Sequence, residues 1–196
     1  ILSRPEMSQQ NLIRQMKVEV MCSTDDPVDT LEYHRALQSS PLAGVVRPTF
    51  RPDRAMNIFK KDWPEYVTAL EKRWNMTFHC LEDMLAALRA AHNFFAEMGC
   101  QASDHGVNVP YAYQVSPESA NEAFMRAREG KAISEAETIA YMSYFLNEMA
   151  ELDAAKGWVF QIRIGAVRDV RDSLLRDLGA DVGGDISDHL TDYVTP

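Results

Sequence analysis

Residues 22–34 read CSTDDPVDTLEYH, and the way this stretch turns decides the fold. Just before it, Lys17-Val18-Glu19-Val20-Met21-Cys22 alternates polar and apolar side chains, the period of a half-buried strand. Just after it, Asp26 stands where a helix N-cap belongs. Pro27 takes the first helical position, where its missing N–H is not needed, and Asp29 follows the cap by three residues in the manner of a capping box. A strand therefore runs directly into a helix predicted over residues 27–38, with Leu31, His34 and Leu37 at helical spacing. In sheets of parallel strands, reactive groups collect at the carboxyl ends. Asp25 thus has a second candidate role that capping does not account for.

Working outward, the same pattern recurs. Strand-like runs at 18–22, 45–50, 100–103 and 158–166 alternate with helical patterns at 62–74, 81–98, 118–128 and 135–156. Met84, Leu85, Leu88, Ala91, His92 and Phe95 form one apolar stripe, and Gly99 and Gly157 stop the helices before them. Met142, Phe145 and Met149 read as packing rather than as a cofactor box. Strand and helix repeated four times give an α/β fold with a parallel sheet and helical crossovers, either a small open sheet or part of a barrel. Residues 1–196 read as one unit, with helical excursions at about 54–98 and 110–156.

A chain of 196 residues with 46% hydrophobic and 25% charged residues is an ordinary globular composition. A net charge of −9 argues against a nucleic-acid surface, although a few arginines can still build a pocket for a small anion. Cys22, Cys80 and Cys100 are an odd number at unrelated spacings, which fits a reducing, cytoplasmic setting. No run approaches the ~18 apolar residues of a membrane span, and no signal segment opens the chain. The chain begins Ile-Leu-Ser-Arg-Pro without an initiator methionine. We expect both ends to be cuts through a longer protein, with processing as the alternative.

Polar groups follow each strand: Ser23 to Asp26, Arg51 to Asp53, Ser103 to Gly106, and Arg163 with Arg168 and Asp169. In a barrel such groups meet at one mouth. Arg51 comes immediately after an apolar strand, where its planar fork can take a carboxylate through two hydrogen bonds; pairing with Asp53 is the alternative. In Ser103-Asp104-His105-Gly106, His105 can serve as acid, base or metal ligand, or as a hydrogen-bonded loop residue, and Gly106 as a position for positive φ. Arg163 lies between Ile162 and Ile164 and faces the opposite way from both, so it needs an anionic partner if it points inward. Arg168, Asp172 and Arg176 fit a solvated helix face with ion pairs. His34 and His92 read as packing, His79 as a loop residue and His189 as lying near the end. No metal motif is complete.

The segments MCSTDDPVDTLEYHRAL, VVRPTFRPDRAMNI, MGCQASDHGV and GWVFQIRIGAVRD, in this order, closely resemble the uronate (glucuronate) isomerase family over essentially the whole chain. The resemblance implies an aldose–ketose isomerase of hexuronates, built on the (β/α)8 TIM-type barrel of the amidohydrolase superfamily. These four strands would be its second through fifth. It also implies a divalent metal, zinc by preference, whose His-x-His and aspartate ligands lie outside this segment. On that reading Asp25, Asp104 and His105 are the catalytic candidates, and Arg51, Arg163 and Arg168 the substrate-binding ones. The partners are a small hexuronate, the remainder of the same barrel and, as an open option, further copies of the chain. Many relatives have histidine in QLHIGA where this sequence has Arg163 in QIRIGA. That departure bears on any metal role for this strand and on substrate preference. The alternatives are metal-assisted hydrolysis on the same barrel, or a structural piece without activity of its own.

Overall fold

The computed structural model describes residues 4–187. In chain order its elements are α1 (Gln9–Gln15), β1 (Met21–Cys22), α2 (Glu32–Leu37), β2 (Val46–Arg47), α3 (Asp53–Met56), α4 (Trp63–Trp74), α5 (Leu81–Glu97), β3 (Ala102–Val107), α6 (Pro117–Arg128), α7 (Glu135–Lys156), β4 (Val159–Ile164), β5 (Ala166–Val167), α8 (Asp172–Leu178) and β6 (Ile186–Ser187). β1 pairs in parallel with β2, and β3 with β4 in unbroken register from Ala102↔Val159 to Val107↔Ile164. Phe50 joins the two pairs through parallel bridges to Asp25 on one side and Ser103 on the other. Its N–H donates to the Ala102 carbonyl at 3.1 Å, and its carbonyl accepts from Asp104 N at 2.9 Å. The result is one arc in the order β1-β2-β3-β4, with all carboxyl ends on the same side, and it is not closed among the described residues.

Helices cover one side of the arc. The Phe50 ring is fully buried and meets His92 and Phe95 of α5 edge-on, at centroid distances of 5.3 and 5.1 Å. Trp63, Phe124 and Tyr141 continue this core from α4, α6 and α7. Burying side chains of this size is worth roughly 1.5–3 kcal/mol each, so the excursions between strands supply much of the core. Two of these aromatics also have a polar task. Trp63 Nε1 and Tyr141 OH both donate to the Ala55 carbonyl, at 2.8 and 2.9 Å, and so hold the short helix α3 in place. No helix among the described residues is long and apolar enough to cross a membrane.

Three sequence expectations need correction. The first strand shortens from 18–22 to Met21–Cys22, because Lys17 turns the chain with φ 53° and only the last two residues find a partner. The helix expected over 27–38 begins at Glu32. The capping bonds do form, with Asp29 Oδ2 accepting from Asp26 N at 2.8 Å and Asp26 Oδ1 accepting from Val28 N at 3.0 Å. They close a turn rather than a helix, since Leu31 then adopts φ 50°. α4 fixes that turn: Tyr66 OH donates to Asp26 Oδ1 at 2.9 Å and Trp74 Nε1 to the Pro27 carbonyl at 3.1 Å. Lastly, Ser103-Asp104-His105-Gly106 is not a loop after a strand but the middle of β3. Its side chains therefore alternate between the two faces of the arc.

Candidate active site

That alternation sorts the motif. Asp104 turns toward the arc's open side, where it receives both arms of the Arg163 guanidinium, Nε to Oδ1 at 2.6 Å and Nη2 to Oδ2 at 2.8 Å. This two-point bond from Asp104 raises the Arg163 pKa. Arg51 Nε donates to Asp53 Oδ2 at 2.8 Å and lies 4.0 Å from Asp104. Asp53, the first residue of α3, also accepts from Gly106 N with both oxygens, at 3.2 and 3.1 Å. Both carboxylates are nearly buried, and each is matched by a guanidinium. Gly106 does not have the positive φ expected of it. A Cβ there would come within 3.0 Å of Asp53 Oδ2 and 3.4 Å of Arg51 Nη2, so close approach is what requires glycine.

A cavity of about 770 Å³ opens above this cluster. Asp25, Arg51, Gly106, Arg163 and Arg168 are in its wall, which comes from strand ends, α3 and the start of α7. Five basic side chains (Arg51, Arg54, Lys60, Arg163, Arg168) face five carboxylates (Asp25, Asp26, Asp29, Asp53, Glu135) there. On a chain of net charge −9, this is a local balance suited to receiving an anion. Burial raises the Asp26 pKa, against hydrogen bonds from Val28 N and Tyr66 OH that lower it. Arg168 is exposed at the rim and paired with Asp185 at 2.6 Å and Asp181 at 3.4 Å.

The sequence-derived candidates thus separate. Asp25, Arg51, Arg163 and Arg168 share one cavity, and Asp104 stands directly behind Arg163. His105 lies on the other face, fully buried, with Nε2 2.9 Å from Ser103 Oγ and its ring on Phe160 at 4.5 Å. Burial pushes its pKa down, so the ring is neutral near pH 7.

Residues 1–193 match the glucuronate isomerase family. The chain belongs to that family. A uronate isomerase from Thermotoga neapolitana is 43% identical over 177 residues, covering 90% of this chain and 39% of that protein. One from Phocaeicola vulgatus is 37% identical over 181 residues, covering 92% and 39%. Among solved structures, the uronate isomerase of Thermotoga maritima matches with a TM-score of 0.89 at 41% identity, over 96% of this chain and 42% of its own. The glucuronate isomerase of Caulobacter crescentus matches with a TM-score of 0.87 at 25% identity, over 98% and 40%. The chain spans about two-fifths of the length of these relatives. The arc is accordingly a portion of a TIM-type barrel in the glucuronate isomerase family.

The metal that the resemblance implies finds no ready site here. Among the described residues, no group of three or more His, Cys, Asp or Glu side chains is disposed to hold one. The Asp53 and Asp104 carboxylates are held by guanidinium groups and His105 is buried away from the cavity, so the residues present do not fit a metal by themselves.

Several residues with polar work escaped the sequence reading. His34 does more than pack: it places Nε2 2.8 Å from Ser23 Oγ, and Ser23 donates to Asp25 Oδ2 at 2.7 Å. The Ser-x-Asp spacing, two residues on one strand face, was the available signal. Asp153 of α7 bonds His92 Nε2 at 2.9 Å with one oxygen and Ser103 Oγ with the other. Its signal was a carboxylate continuing the helical stripe of Met142, Phe145 and Met149, where only a paired charge can be buried.

Proposed function

We propose that these residues form part of an aldose–ketose isomerase of hexuronates, interconverting glucuronate with fructuronate and galacturonate with tagaturonate. The observation that carries the reading is a cavity wall in which two strand-end guanidinium groups, Arg51 and Arg163, stand with the carboxylate of Asp25. Moving a proton between C2 and C1 through an enediol-like intermediate needs three things: a base, charge stabilisation at the developing oxyanion, and a hold on the distant carboxylate. In this reading Arg51 holds the substrate carboxylate, Arg163 an anionic oxygen, and Arg168 meets the sugar acid at the rim. Asp25 accepts the proton: of the two aspartates the sequence singles out as catalytic candidates, it lines the cavity, whereas Asp104 is held by Arg163. Asp104 fixes Arg163 from behind, and His105 anchors β3 from the other face.

A divalent metal, zinc by family resemblance, would take its ligands from chain outside residues 1–196, and no step above passes through it. The free cysteines support a cytoplasmic setting. The test is to incubate the full-length protein with glucuronate and with galacturonate and to assay ketose. Ketose from neither would refute the reading, and an Arg51→Ala variant with unchanged kcat and KM would remove Arg51 from the site. Residues 1–196 alone are expected to show no turnover.

A further inference from the structure

Behind Asp25 lies a short hydrogen-bonded chain that the roles above do not use. His34 Nε2 is 2.8 Å from Ser23 Oγ, and Ser23 Oγ is 2.7 Å from Asp25 Oδ2. The imidazole and carboxylate are 3.8 Å apart, with side chains only 10% and 14% exposed. A serine hydroxyl carries one proton, so two close contacts at Oγ need a second donor. If Ser23 donates to Asp25, His34 must donate from Nε2. In that order of protons Asp25 Oδ2 is an acceptor and His34 the outer donor. The hydroxyl's other acceptor, the Arg47 carbonyl at 3.3 Å, is the poorer one.

The geometry points to His34 as a positioning residue. Through Ser23 it holds the Asp25 carboxyl group in one orientation, with Oδ2 occupied and the other oxygen left as the proton acceptor of the cavity. The inference rests on Asp25 being that acceptor, as proposed above. A hydrogen bond donated to one carboxylate oxygen fixes the rotation of the group, and here the donor is kept in line by a second one. The Asp25 backbone is fixed independently, its N–H on the Thr49 carbonyl and its carbonyl on Arg51 N, each at 3.0 Å. The chain from His34 therefore acts on the carboxyl group and not on the strand.

Other charges also bear on the two ends. Asp26, Asp29, Arg51, Asp53, Arg54 and Arg163 share the cavity wall with Asp25. Arg47 and Glu97 line a second cleft, of about 320 Å³, with His34, whose own helix carries Glu32 and Arg35. None of these is altered by the variants that test the inference.

The experiment is steady-state kinetics of the full-length protein on glucuronate, with kcat and KM read separately and thermal melting measured beside them. Ser23→Ala removes the donor to Asp25 and is expected to lower kcat about tenfold with KM little changed. His34→Leu lowers kcat by less, and His34→Gln, which keeps an N–H donor, restores it. Should His34→Leu fail to fold, Ser23→Ala still reads the effect. An unchanged kcat in Ser23→Ala, whatever its melting temperature, would overturn the inference and leave the isomerase reading intact. Absence of ketose with the wild-type protein would overturn both.

Discussion

Replacing Gly106 with alanine tests the cluster that holds the two arginines. The added Cβ would sit 3.0 Å from Asp53 Oδ2, tighter than most such contacts, so that Asp53 must give by a few tenths of an ångström, and 3.4 Å from Arg51 Nη2. Asp53 cannot retreat freely. Its Oδ2 holds Arg51 Nε at 2.8 Å, and both its oxygens hold the Gly106 N–H. A retreat of about 0.4 Å would take the 3.1 Å bond to the limit of hydrogen bonding. A hydrogen bond to a charged group contributes roughly 1.5–3 kcal/mol. Against this, alanine restricts the unfolded chain and returns about 0.4–1 kcal/mol, since Gly106 has no positive φ to forbid the substitution. The balance is a destabilisation of about 1–2 kcal/mol. Arg51 moves with Asp53, so KM for hexuronate should rise about three- to tenfold while kcat changes less. Urea unfolding and steady-state kinetics of the full-length Gly106→Ala protein measure both quantities. Unchanged KM together with equal or greater stability would refute the close-packing argument.

Tyr141→Phe removes one of two donors to the Ala55 carbonyl and leaves Trp63 in place; urea unfolding should show a loss of about 0.5–1.5 kcal/mol, no more. Asp153→Ala strips His92 Nε2 of its partner and Ser103 Oγ of one of its two in a buried site, and the same measurement should show a loss of about 3–5 kcal/mol. Burial lowers the His105 pKa below its ordinary 6.5, so between the folded value and 6.5 the unfolded chain binds more protons than the folded one. Stability should hold above pH 6.5 and fall as pH drops below it, and His105→Asn should flatten that slope in a pH series of thermal melts.

The elements most legible in the sequence were those whose information is local. α7 begins and ends as read because a Ser134–Glu137 box and the left-handed Gly157 terminate it without help from the rest of the chain. α4 and α5 were readable from their stripes for the same reason. The stretch at 26–31 misled because its local capping chemistry is real and its outcome is set from afar, by Tyr66 and Trp74 of α4. Ser103 to Gly106 misled differently: its polar composition reads as loop, whereas ladder bonds to β4 on one side and to Phe50 on the other hold it extended. The strand-end arginines were legible from position alone. The pairings of His34 with Ser23 and of Asp153 with Ser103 were not, because they join residues 11 and 50 apart in sequence.

The two arginines are held differently, and that difference bears on what each can offer a ligand. Among the described residues, Arg51 spends only Nε on Asp53, so both of its terminal nitrogens remain for the cavity. Arg163 spends Nε and Nη2 on Asp104 and keeps one terminal nitrogen. A guanidinium with two available nitrogens in one plane matches the two oxygens of a carboxylate, and one with a single nitrogen matches a lone oxygen. The same geometry that neutralises each charge also aims what is left of it. A lysine at position 51 would supply charge without that planar pair, so the demand for arginine there follows from direction more than from electrostatics. Asp53 and Asp104 are therefore not competitors for the substrate's place but the supports that fix the donors before an anion arrives.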